Sequence, residues 1–296
     1  MAESLAHGWG QKIGEVLEAG VVSLLGDFAK THNLYLDKHG ARPVRAGKNA
    51  TWKDINGNEH DLDYVLERGG SPEKIGTPVA FIETAWRRYT KHSKNKAQEI
   101  HGAILPLVAT HRNSAPFIGA ILAGEFTNAA VQQLESLGFV VLHILYKDVL
   151  KAFAEIKIDA GFDETTKEAK FRTKLTAWNH LSARKKKQVA DRLIEINRSN
   201  VDRFIAALKR SVTRTISGVC VMPLHGSPSV LGSVSDAIAF ISGYDEKKCD
   251  LPVIEYIVQI RYNTKDEVEG KFKKKEDALA FLHSYLPPQI APVKAT

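Results

Sequence analysis

Cysteine is nearly absent: Cys220 and Cys249 are the two in 296 residues, and neither stands in a CxxC spacing. That excludes a disulfide scaffold and leaves reduced, buried thiols in a cytoplasmic protein as the expectation. Long apolar runs are missing as well. None approaches the roughly 18–20 residues that cross a bilayer, so no membrane association is expected. The opening MAESLAHGWGQKIGEVLEAG carries acidic residues where a secretion signal needs a basic start and an unbroken apolar run. Chemical signatures are lacking too. Eleven histidines form no HxH or HExxH, no GxxxxGK[ST] loop is present, and HGSPSVLGS (225–233) has no GxSxG elbow. These absences argue against a zinc hydrolase, a nucleotide-driven motor and a serine hydrolase, and no nucleotide cofactor is expected.

What is in excess is positive charge. The formal net charge is +7, and its distribution is uneven. Residues 1–150 hold 16 Lys/Arg against 16 Asp/Glu, whereas residues 151–296 hold 25 against 18. Ten basic residues lie between Arg184 and Arg214, Lys186 and Arg210 among them, opposed by Asp191, Glu195 and Asp202 alone. A charge run is often a solvated helix face, but a local excess of this size suits a surface that tracks phosphates.

The apolar pattern sets an order of elements. Ile13, Val16, Leu17, Val21, Leu24, Leu25 and Phe28 recur at three and four, which predicts an amphipathic helix over 10–32. A loop with Arg42, Arg45 and Lys48 follows, then an Asn-Gly turn at 55–58. DLDYVLE (61–67) and TPVAFIETAWR (77–87) read as strands, and Ala97–Val108 as a second helix. PFIGAILAG (116–124) and FVVLHILY (139–146) look like strands buried on both faces. Between them Asn128 caps a third helix that Gly138 ends. The fold class is α/β: a mixed sheet flanked by helices over residues 1–157, then a basic helical and mixed α/β region over 158–296. The polar stretch 158–170 is the expected boundary. Helices at 181–196, 201–212, 235–241 and 276–286 and strands at 216–222, 252–262 and 266–273 complete the second part, with Pro287 and Pro288 as the last stop.

Asp63 and Glu83 stand out because each lies in a predicted strand and the connection is short enough for a hairpin. Carboxylates on one face of adjacent strands, about 4.7–4.9 Å apart, can share a divalent cation. Glu83 follows ValAlaPheIle, where a buried, unpaired carboxylate is costly. The segment after it carries Arg87, Arg88, Lys91, Lys94 and Lys96 with no acidic residue before Glu99, as an anionic phosphodiester requires. Trp52, Trp86, Trp178 and Tyr89 are of the type that stacks on bases, though packing is their commoner use.

The pattern of helix with Glu, strand with Asp, strand with Glu, helix, strand, helix, strand resembles the PD-(D/E)xK nuclease core of type II restriction endonucleases and Holliday-junction resolvases. The resemblance covers roughly residues 8–150. It implies that Asp63 and Glu83 bind Mg²⁺, or Mn²⁺ in its place, with Glu18, spaced Gly-x-x-x-Glu from Gly14, adding a metal contact. Asp61 is an alternate to Asp63. Two departures stand out: Leu62 precedes Asp63 where the motif has Pro, and Ala85 stands where the motif has Lys. Lys91 or Lys94 is then expected to position the attacking water. Arg87, Arg88, Lys96, Arg42, Arg45, Lys186, Arg210 and Arg214 are expected to hold DNA. The resemblance further implies a homodimer, because a two-fold protein matches a palindromic site. Two alternatives stay open: a structure-specific repair or recombination nuclease, and a non-catalytic DNA-binding protein on a decayed nuclease core.

Overall fold

The structure, a computed structural model, describes residues 4–247 and 253–286; Cys249, Pro287 and Pro288 lie outside the described residues. It is mixed α/β and divides into two compact units, residues 1–209 and 210–296.

The first unit opens with α1 (Leu5–Thr31), capped by Ser4 and burying Ile13, Val16, Leu17, Val21, Leu25 and Phe28 on one face as the spacing predicts. It begins several residues before Gly10 because the Ser4 side chain accepts from His7 N and satisfies an orphan donor of the first turn. Asn33, at φ 55°, turns the chain into β1 (Leu34–Lys38). β2 (Ala50–Lys53) and β3 (Glu59–Leu62) form a separate hairpin whose turn has Gly57 at φ 85°, the position that Asn-Gly signals. β4 (Tyr64–Arg68) and β5 (Thr77–Arg87) follow, so the expected single strand over 61–67 is broken at Asp63. Next come α2 (Ser93–Thr110), β6 (Phe117–Gly124), α3 (Asn128–Ser136) and β7 (Val140–Leu145). The cap of α3 is Thr127, whose side chain accepts from Ala130 N, rather than Asn128.

The main sheet runs β1-β4-β5-β6-β7: the first three strands pair antiparallel, the last three parallel, with α2 and α3 as crossovers. β6 is buried almost throughout, but β7 is the sheet edge and only partly buried, unlike the expectation for 139–146. One core face joins Val65, Phe81 and Leu122 to Ile100, Ile104 and Leu107 of α2 and Leu134 of α3. Each such side chain contributes about 1.5–3 kcal/mol on burial.

α4 (Tyr146–Ala154), α5 (Glu168–Asn179), α6 (Ala183–Ile196) and α7 (Arg198–Val212) carry the chain to the second unit. The division falls at Lys209/Arg210, not at the polar stretch after residue 157, because α5 and α6 pack on α1 and α6 on α4. Trp178 of α5 lies against Phe153, and Phe204 of α7 against Phe117. In the second unit β8 (Ile216–Pro223), β9 (Ser229–Leu231), β10 (Tyr256–Tyr262) and β11 (Glu267–Phe272) form an antiparallel sheet in the order β11-β10-β8-β9. α8 (Val234–Gly243) and α9 (Lys275–His283) share its core. Cys220, on β8, is a buried free thiol.

Arg42 and Arg45 are not at a nucleic-acid surface. Arg42 is 4% exposed and forks onto Glu67, itself 0% exposed, at 2.6 and 3.0 Å. Its Nη1 lies 3.0 Å from Asp37, and Nη2 also donates to the carbonyls of Ser71 and Lys74. Arg45 donates to both Asp37 oxygens and to the Lys38 and Gly40 carbonyls. Two carboxylates inside a sheet need such partners, and these satisfied bonds leave both guanidiniums committed to the fold. Arg42→Ala strands Glu67 without its partner and is expected to lower stability by about 3–5 kcal/mol. A urea midpoint equal to that of the parent protein would return Arg42 to the surface cations.

Candidate active site

β3 ends at Leu62 in the β2–β3 hairpin and β4 begins at Tyr64 in the main sheet, both side chains buried at 5% and 4% exposed, so Asp63 stands where the chain passes from one sheet to the other. The resulting bend presents half-buried Asp63 to β5. There the two residues stitch each other. Asp63 N donates to Glu83 Oε1 at 3.0 Å, while Thr84 N and Oγ1 donate to Asp63 Oδ2 at 2.7 and 2.8 Å. Asp61 is not an alternate: it sits in the β2–β3 hairpin and accepts from Asn49 and Thr51. Period two fails because the strand breaks between the two aspartates.

Glu83 is 7% exposed. Burial, then the Asp63 charge, pushes its pKa up to about 8; the Asp63 N–H and the Lys96 ammonium pull the other way. Glu18 of α1 is raised by desolvation, then by Asp63 and Glu15, against His39. The phenol of Tyr64 is raised by burial and then by Glu18, Asp63 and Glu83. Three carboxylates from α1, the bend and β5 therefore share one electrostatic neighbourhood. Among the described residues no group of three or more His, Cys, Asp or Glu forms a ready-made metal cage.

A cleft of about 760 Å³ opens beside this cluster, walled by one face of α1 and by the end of β5. Glu18, Thr84, Ala85, Arg87, Arg88 and Lys96 all line it. Lys91 and Lys94 do not; both are exposed, Lys91 in a short 3-10 turn and Lys94 on the outer side of α2. Lys96, whose ammonium pairs with Glu99 at 3.3 Å, also lowers the Glu83 pKa through its charge. It precedes buried Ala97, which packs in one core cluster with Ala85. The α2 period held that signal, since Ser93, Ala97 and Ile100 mark the inner face and Lys96 borders it. Arg88 is held in place: its Nε donates to Phe162 O at 2.6 Å and its guanidinium lies 4.2 Å over Tyr146.

No family model and no curated protein matches this chain. A solved structure titled "Crystal Structure of Protein of Unknown Function AF1548" is similar over 64% of this chain and 98% of its own, at 16% identity and a TM-score of 0.28.

Of the other cations expected to hold DNA, Lys186 lies 5.5 Å over the ring of Trp178 on α5. Arg210 and Arg214 belong to the second unit, where Arg214 stacks 3.7 Å over Tyr262 and pairs with Asp266. Elsewhere in the basic segment, Lys187, Arg192 and Arg198 are taken up by Asp191, Glu195 with Glu155, and Asp202. Trp52 and Trp178 are core residues, at 9% and 2% exposed, whereas Trp86 and Tyr89 line the cleft.

The raised pKa of Glu83 has a definite sign. Between about 4.5 and about 8 the folded protein holds a proton that the unfolded chain has released. That contribution is complete below about 4.5 and is lost as pH climbs through about 8. The melting temperature in a metal chelator is expected to fall over this interval, and Glu83→Gln is expected to flatten the trend. A Gln variant with the same slope as the parent would assign the proton elsewhere.

Proposed function

We propose that this chain is a Mg²⁺-dependent endonuclease that cuts double-stranded DNA at a specific sequence, in the manner of type II restriction endonucleases. The observation that carries the reading is the reciprocal stitch of Asp63 and Glu83 beside a cleft lined by Glu18, Lys96 and Arg87. The succession α1, β4, β5, α2, β6, α3, β7 is also the order that the resemblance implies.

The residues fit a hard divalent cation. Glu83 Oε2 and Asp63 Oδ1 take no hydrogen bond among the described residues, so each carboxylate keeps an oxygen free. Mg²⁺ is commonly bound by one or two carboxylates with waters and phosphate oxygens, so a full protein cage is not required. When bound, it supplies charge neutralisation to a phosphodiester and makes a water more acidic. Asp63 and Glu83 would hold it, with Glu18 contributing from across the cleft. Lys96, reaching in from α2, takes the place of a Lys at position 85; its ammonium orients the attacking water and offsets charge gathering on the phosphate. Arg87 holds a non-bridging phosphate oxygen, a role that suits it better than Arg88, whose Nε is already committed. Arg184, Lys185 and Lys186 at the start of α6 provide outer phosphate contacts on the same unit. Two copies related by a two-fold axis would cut both strands of a palindromic site.

Digestion of a sequenced plasmid with Mg²⁺ or Mn²⁺ is expected to give discrete bands, with sedimentation reporting a dimer. Glu83→Ala and Asp63→Ala are expected to abolish cutting. Lys96→Ala is expected to slow it by about 10²–10³-fold, the usual cost of losing one group that stabilises developing charge, while Lys91→Ala stays active. Full activity of Glu83→Ala would overturn the site. Cleavage of branched or single-stranded DNA with none of plasmid would overturn sequence specificity.

A further inference from the structure

The cleft is longer than the chemistry proposed for it needs. Its α1 wall runs from Ala6 to Glu18, about 18 Å at 1.5 Å per residue. Glu15 and Glu18 occupy one end of that wall. Among the described residues the other end is lined by no carboxylate and is faced by Trp86, Arg87, Tyr89 and Phe162. The Trp86 indole lies close against α1 at Gly10, where an added Cβ would stand 3.6 Å from Trp86 Nε1. That indole N–H meets no acceptor among the described residues. Among the described residues the Arg87 guanidinium commits only Nη1, to the Trp86 carbonyl at 3.0 Å.

Trp86 is also unlike the other tryptophans. Trp9, Trp52 and Trp178 are 0%, 9% and 2% exposed and serve the core, while Trp86 is half-buried in the cleft wall. Tyr89 stands at the rim, 37% exposed. The base of this region is rigid, because Arg88 is packed among Tyr89, Tyr146 and Phe162 at 4.9, 4.2 and 5.5 Å. Asp163 and Glu164 approach Tyr89 but do not line the cleft. An aromatic wall and unspent donors beside the proposed phosphate-cutting centre suit a nucleotide more closely than a bare phosphate.

We propose that this half of the cleft receives one unpaired nucleotide of the cleaved DNA strand, its base against Trp86 and Tyr89 and its phosphate on Arg87. The inference rests on the nuclease reading and adds the form of the substrate beside the cut. A duplex hides its base faces in its own stack, so a base reaches an aromatic wall only when it is flipped out or already single-stranded.

Binding is measured with the full chain in a metal chelator, so that no cleavage occurs. A short oligothymidylate is expected to quench tryptophan fluorescence, and Trp86→Leu to remove most of the quench. Tyr89→Ala, a change at an exposed side chain that leaves the core intact, is expected to weaken oligonucleotide binding about tenfold, the loss of one stacked base. Arg87→Ala is expected to reduce the slope of log affinity against log salt by about one. A duplex carrying 2-aminopurine next to the cut is expected to brighten on binding. An unquenched parent protein, parental affinity in both Trp86→Leu and Tyr89→Ala, or a dark 2-aminopurine would each overturn the proposal. The quench must persist in Glu83→Ala. Plasmid cutting without any quench would sink this inference alone, whereas a quench without cutting would sink the nuclease reading.

Discussion

Two carboxylates held side by side repel each other, and this protein is built so that Asp63 and Glu83 cannot move apart. The restraint is backbone geometry. Asp63 lends its own N–H to Glu83 and takes the N–H of Thr84 in return. Such a stitch exists only if β4 is fixed at both ends. At the far end Glu67, on the same short strand, is locked by Arg42 and also accepts from Gly76 N at 2.6 Å. That clamp coincides with the register shift between Leu66 and Glu67 against β5. The arginines at 42 and 45 thus support the site from behind, by setting where β4 begins to bend.

The cost of the arrangement is visible in Glu83. A carboxylate with its charge spread into water would keep an ordinary pKa, but burial and Asp63 together favour its protonated form. On the proposed reading a divalent cation removes the conflict, because it turns two repelling oxygens into two ligands. On that reading the cluster is completed by a cation. The same logic separates it from the Arg42 clamp, where protein cations already complete the charge balance.

Helix α1, β5 and the two crossover helices are legible in sequence because each has a strong apolar pattern. β1 is not, since LeuTyrLeuAspLys is short and its Asp37 looks like a loop residue until Arg42 and Arg45 are seen to cover it. β2 is hidden for a similar reason: four residues between polar loops carry too little pattern. The bend at Asp63 is invisible because Leu62 and Tyr64, two residues apart and both buried, keep the alternation of one unbroken strand although they belong to different sheets. Helix α5 goes unread, and α6 reads as part of another domain, because the charge of α6 is legible and the packing of both helices on α1 is not. Charge also misleads at the level of residues. A count cannot separate a guanidinium that seals a buried carboxylate from one that faces solvent, so it groups Arg42 and Arg45 with true surface cations.

Ala85 is where this chain departs most from the nuclease pattern, and packing gives a physical reason for it. Its methyl sits in the core cluster with Ala97 and Ile100 of α2, 6% exposed. A lysine stem at 85 would have to share that space, and overfilling a packed core costs typically about 1–3 kcal/mol. A cation delivered from the helix avoids the crowding, because Lys96 leaves α2 beside Ala97 and enters the cleft from its margin. Its position then depends on how α2 is seated, not on the strand. Ser93, fully buried at the start of α2, ties that end to Thr127 at the start of α3 through a 3.2 Å hydroxyl contact. The two crossover helices, which look like scaffolding, therefore set how close the Lys96 charge comes to Glu83.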